Sequence, residues 1–105
     1  MLFRSVSQSR YQQYKQQVAL GEALERLEVN PDFRMLIELN YLGTHALNLV
    51  YSRTRDMTPD NEIARKIDAV ATFKQYLDEV KENRATASKS LKDAEQTREE
   101  FYDED

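Results

Sequence analysis

Apolar residues recur at steps of three and four along most of this chain. The longest unbroken run of that pattern opens at the helix-start signal Thr58-Pro59-Asp60 and reaches Phe101 without a Gly or Pro. Counting back from Phe101 by alternating threes and fours gives Arg98, Ala94, Leu91, Ala87, Arg84, Val80, Leu77, Phe73 and Val70, and eight of those ten positions are apolar. A spacing that averages about 3.5 residues keeps one seam on one side of a helix, the pattern that lets helices wrap around one another. At about 1.5 Å per residue such a helix is roughly 60 to 70 Å long, more than a compact domain of this size needs.

The run divides near Lys81. Before it, Ile63, Ala64, Ile67, Val70, Ala71, Phe73, Tyr76, Leu77 and Val80 spread wider than one seam and predict packing on two neighbouring helices. After it, the apolar positions narrow to Ala87, Leu91, Ala94 and Phe101, with Arg84 and Arg98 in the seam. An arginine there buries its stem but keeps its head hydrated or paired. The second half is therefore expected to project or to lie along another molecule, with Arg84, Ala87, Leu91, Ala94, Arg98 and Phe101 as the partner-facing residues.

Two shorter helices precede it. Tyr11, Tyr14, Val18, Leu20, Leu24 and Leu27 give an amphipathic helix from about Gln8 to Glu28. Gly21 lies between Val18 and Leu24 on much the same face, where its missing side chain invites the close approach of a neighbouring helix. Asn30-Pro31-Asp32 then predicts a capped start at Pro31. Phe33, Leu36 and Ile37 form the expected buried face, and the mixed stretch from Asn40 to Thr44 predicts a kink or break near Asn40, with Tyr41 or Leu42 folding back as a cap. Helix resumes from His45 to about Thr54. Residues 1–9 show no helical period, and Leu2 and Phe3 read as the anchors of an N-terminal arm that reaches a neighbouring subunit.

The expected fold class is thus all-α: a small antiparallel helical bundle with a long C-terminal helix that extends as a coiled-coil-like arm. The chain is read as a single helical domain over 1–105, with an arm at 1–9, a helical core at 10–80 and an extended helix with an acidic tail at 81–105. Both shorter helices are expected to pack on the first half of the long one.

Composition supports helices and narrows the chemistry. Two Gly and two Pro in 105 residues leave few turns for a sheet. With 40% hydrophobic and 32% charged residues the chain has enough apolar content for a modest core plus an interface. No run approaches a membrane span or a signal-peptide core, so no membrane role is expected and the protein is expected not to be secreted. Residues 1–55 carry seven basic against five acidic side chains, and residues 56–105 carry eight against fourteen. The acidic excess, concentrated in Glu99, Glu100, Asp103, Glu104 and Asp105, repels phosphate, so nucleic-acid binding is not expected. A helix-turn-helix reading of residues 31–55 fails as well, because the second helix offers Ala46, Leu47, Leu49 and Val50 where a recognition helix needs polar and basic side chains.

Catalysis has little to work with. His45 is the one histidine and there is no cysteine, which removes two-histidine and thiolate metal sites. There is no glycine-rich phosphate loop and no nucleophile elbow. The chain is read as a non-enzyme with no cofactor, no metal and no catalytic residue.

The run Asn30-Pro31-Asp32-Phe33, then Leu36-Ile37, Asn40-Tyr41-Leu42, Ala46 with Leu49-Val50, Ile67-Asp68-Ala69-Val70 and Phe73-Lys74-Gln75-Tyr76 resembles small helical structural or assembly proteins of tailed bacteriophages. The family has Gly where this chain has Asn40. The resemblance spans roughly residues 24–80 and contains no catalytic motif. It implies a virion or assembly role (capsid, connector or scaffold-associated), helix-mediated homo-oligomerisation, other virion or assembly proteins as partners, and residence in a virion or the host cytoplasm. The competing expectation, drawn from the acidic end, is a soluble regulator that binds and inhibits a host or viral nucleic-acid enzyme.

Overall fold

In a computed structural model the backbone is described for residues 2–56 and 61–103, and the side chains for 9–53 and 62–97. Every described residue outside the Val29-Asn30 turn is helical, and the fold is all-α. In order the elements are α1 (Leu2–Glu28), α2 (Pro31–Phe33), a π-helical segment (Arg34–His45), α3 (Ala46–Asp56) and α4 (Asn61–Asp103). The helix-start signal at Thr58-Pro59-Asp60 lies outside the described residues. The elements α2, π segment and α3 follow one another without a break and form a middle helix.

The turn at Asn30 works as its residue type predicts. Asn30 holds an extended backbone (φ −79°, ψ 123°), and its Oδ1 accepts from the N–H groups of Asp32 at 2.9 Å and Phe33 at 3.2 Å. Pro31 fills a first-turn position whose N–H has no helical acceptor in any case. The Asn30 N–H donates back to the Leu27 carbonyl at 2.9 Å, closing the end of α1. Asn30→Ala is expected to lower stability by about 1 kcal/mol, read as a fall in the thermal midpoint of the helical circular-dichroism signal.

Near Asn40, where a kink or break is expected from the sequence, the chain does not break. It stays helical but widens, and Thr44 Oγ1 donates to the Leu39 carbonyl five residues back, at 3.4 Å. Asn and Gly are weak stops within an apolar-periodic run that has something to pack against. The N-terminal arm is likewise not set apart, since α1 is helical from Leu2, and no Gly or Pro precedes Gly21 to interrupt it.

The chain forms two compact units, Met1–Leu24 with Glu79–Asp105, and Glu25–Asp78, and α4 runs through both. In the first, α1 runs along the second half of α4. Gly21 sits against Arg84, and Val18 shares a groove with Ser88 and Leu91, so the two helices run in opposite senses. Leu24, Val80 and Ala87 are buried there. The expectation that α1 packs on the first half of the long helix is therefore corrected: its narrow seam with Gly21 matches the equally narrow seam of Arg84 and Ala87.

In the second unit the middle helix runs antiparallel to the first half of α4. Tyr41 meets Phe73 edge to face, with centroids 5.7 Å apart and planes at 89°. Val70 is the buried residue of this unit among those described, with Phe33, Ile37, Leu42, Leu49, Ile67 and Leu77 half-buried. Tyr41 packs on α4 here and does not fold back as a cap. The ion pairs Arg34–Glu38, Lys66–Glu62 and Lys74–Asp78 are exposed i, i+4 contacts at 4.0, 3.5 and 2.6 Å, worth tenths of a kcal/mol each. Packing, not these pairs, holds the helices together.

Candidate interaction surfaces

Three features of the described surface are able to engage another molecule. The first is in the first unit, where Val18, Ser88, Lys89, Leu91, Lys92 and Glu95 line an open groove beside the α1–α4 seam. The groove forms because the seam runs out of bulk: Ala87 is fully buried, and beyond it, among the described residues, only Ser90 and Leu91 remain half-covered. Lys89, Lys92 and Glu95 rim it with mixed charge.

The residues expected to face a partner divide as follows. Arg84 lays its side chain over Gly21, with its Nη1–H donating to the Gly21 carbonyl at 3.5 Å. Ala87 is 0% exposed and offers a partner no surface. Leu91 lines the groove, and Ala94 is exposed beyond it. The side chains of Leu2, Phe3, Arg98 and Phe101 lie outside the described residues. The structure thus brings Arg84, Ala87 and Leu91 together on the face that α1 follows, because the seam is satisfied within the chain.

The second feature is an apolar groove of about 280 Å³ in the second unit, lined by Leu42, Ala46 and Val50 from the middle helix and Ile67, Val70, Ala71 and Lys74 from α4. Alanines at 46 and 71 leave it open. Beside it, Tyr41 stacks on His45 with centroids 5.5 Å apart and planes at 20°, while its ring edge meets Phe73. His45, the sole histidine, is therefore held by an aromatic neighbour one turn away in the same helix.

The third is the outer face of the middle helix, which sequence reasoning did not single out. Met35, Leu39, Leu47 and Tyr51 are 63%, 66%, 53% and 59% exposed. Leu36, expected to be buried, is 64% exposed as well. In an unbroken α-helix, residues four apart drift by about 40° per step, which would wind these positions round the helix. The π segment (Arg34–His45), with its wider turn, drifts the opposite way over 35–43 and so partly offsets the α-helical drift from 47 to 51, which keeps these positions within one broad sector of the helix. The signal in the sequence was the repeated four-residue step 35, 39, 47, 51, interrupted at Gly43.

Among the described residues no group of three or more His, Cys, Asp or Glu is placed to hold a metal, and no buried side-chain nitrogen or oxygen lacks a hydrogen bond. Among those residues no helix is long and apolar enough to cross a membrane. Comparison with protein-family models, with curated proteins and with solved structures gives no match to the chain.

Proposed function

We propose that this chain is a non-enzymatic helical assembly protein that works by presenting apolar helix faces to other protein chains. The observation that carries the reading is the imbalance between core and surface in the second unit. Val70 is its one buried residue among those described, while five large apolar side chains of the middle helix, Met35, Leu36, Leu39, Leu47 and Tyr51, are more than half exposed. Exposed apolar residues scattered singly are ordinary, but an aligned set on one helix marks an interface. Tyr76, 53% exposed on α4, adds to the apolar surface of the same unit.

The resemblance over residues 24–80 supports placing this activity in the virion or the assembly pathway of a tailed phage, as a capsid, connector or scaffold-associated component. The second unit, Glu25–Asp78, coincides closely with that stretch. The reading is tested by the solution mass of the purified chain from multi-angle light scattering, together with mass spectrometry of what copurifies from its native source. A species heavier than 12.4 kDa, or a stoichiometric protein partner, is expected. A lone monomer at sub-millimolar concentration with no copurifying protein would sink it.

A further inference from the structure

We infer that a second copy of this chain docks on the outer face of the middle helix, antiparallel and with Gly43 at the crossing point. The inference rests on the assembly reading above and names its partner, surface and register.

The first observation is the symmetry of the stripe. Met35, Leu39, Gly43, Leu47 and Tyr51 follow one another at equal steps of four, two large residues on either side of one with no side chain. A two-fold axis through Gly43 places Leu39 of one copy against Leu47 of the other, and Met35 against Tyr51. A surface that matches itself under a two-fold axis is what an isologous dimer requires. A parallel pair would instead set like residues side by side.

The second observation is that the chain's own fold has no need of glycine at position 43. Glycine is among the least favourable residues in a helix interior. A Cβ built at Gly43 would meet only the Glu38 carbonyl oxygen, at an ordinary 3.5 Å, and no left-handed backbone angle is involved. Gly21 differs sharply, since its Cβ would collide with Arg84. Gly43 is half-covered, but the space a side chain would take there is open, which lets a second helix come close.

Charge and area agree with this arrangement. Asp32 stands exposed at the start of the middle helix and Arg53 exposed near its end. Antiparallel pairing about Gly43 brings Asp32 beside Arg53 of the second copy at both ends, and it sets the helix dipoles in the favourable opposed sense. Parallel pairing would put each charge beside its like. The four large side chains of the stripe expose roughly 500 Å² per chain, the size of a functional patch on a small protein. With the flanking Asn40, Thr44 and Asn48, two copies approach the roughly 1,600 Å² of a standard interface.

Because the chain has no cysteine, single-cysteine variants of the whole protein report the register directly. Under mild oxidation or a short bis-maleimide, Gly43→Cys is expected to cross-link to a dimer and Met35→Cys alone is not. An equimolar mixture of Met35→Cys and Tyr51→Cys chains is expected to give the mixed dimer. Leu39→Glu, at an exposed position, is expected to keep full helicity and weaken self-association by about 100-fold or more. Gly43→Leu is expected to weaken it by at least about 10-fold, again with helicity kept. Equal cross-linking of Met35→Cys and Gly43→Cys would establish parallel pairing and overturn the inference. An oligomer whose mass is unchanged by Leu39→Glu would overturn this surface while leaving the assembly reading standing. So would a chain that stays monomeric but binds a different protein. Absence of any protein association would take down both.

Discussion

Gly21→Ala is expected to destabilise the first unit by about 2 to 3 kcal/mol, although alanine is the better helix former by about 1 kcal/mol. The new methyl would occupy space already filled by the Cβ, Cγ and Cδ of Arg84. Rotating the arginine moves Cγ and Cδ, but its Cβ is fixed by the backbone of α4. The two helices must therefore separate, and the packing of Leu24, Val80 and Ala87 loosens with them. Interiors packed at crystal-like density do not accommodate such a shift cheaply. The check is urea unfolding followed by circular dichroism, with hydrogen exchange to localise the loss to residues 9–24 and 80–95. Gly43→Ala provides the contrast. Its Cβ has room, so in dilute solution the unfolding free energy is expected to hold or rise by up to about 1 kcal/mol. A Gly21→Ala chain as stable as the parent would show that α1 and α4 do not approach closely at this point.

Val70→Asp is expected to have a comparable or larger effect on the second unit, about 3 kcal/mol or more. Val70 is 7% exposed and sits where the middle helix meets α4, close to Ile67, Ala71 and the Tyr41–Phe73 contact. A carboxylate there loses its water and finds no fixed cation in exchange, because Lys74, which lines the same groove, is paired with Asp78 at 2.6 Å. Val70 is the only described residue buried in this unit, so the loss falls on the centre of its packing. Thermal unfolding and exchange across residues 31–53 and 62–78 would report it. Leu39→Asp, at a position 66% exposed, is the matched control and is expected to leave the fold of a dilute sample almost unchanged. If the two substitutions cost the same, the assignment of inner and outer faces of the middle helix is wrong.

Both predictions bear on how much of this molecule its sequence discloses. The helices themselves were legible, because a three-and-four apolar rhythm with two Gly and two Pro leaves no other regular structure. The Asn30 cap was legible, since a side-chain acceptor beside a proline has one economical use. So was the close approach at Gly21, a small residue on an otherwise apolar face. Which half of the long helix would lie against α1 was not. The seam continues from Val70 to Phe101 with the same spacing, and periodicity says which side of a helix is sticky without saying where along it the neighbour stops. Hence Arg84 and Ala87, reasonable interface residues by pattern, turned out to face α1. The outer stripe was missed for a related reason: projected on an α-helix, Met35, Leu39, Leu47 and Tyr51 do not share a face.

The amino-acid sequence by itself determined that this protein is made of helices, where the middle helix begins and where a helix can come close enough to touch backbone. Local hydrogen bonds and side-chain volume decide those points within a few residues. Only the tertiary structure decided that the chain resolves into two units and that the middle helix widens from Arg34 to His45. The choice between a carbonyl four or five residues back changes little locally. It is settled by what the inner face packs against, Tyr41 on Phe73 and Leu42 over α4. That choice gathers Met35, Leu39, Leu47 and Tyr51 toward one side of the helix, with the half-covered Gly43 between them.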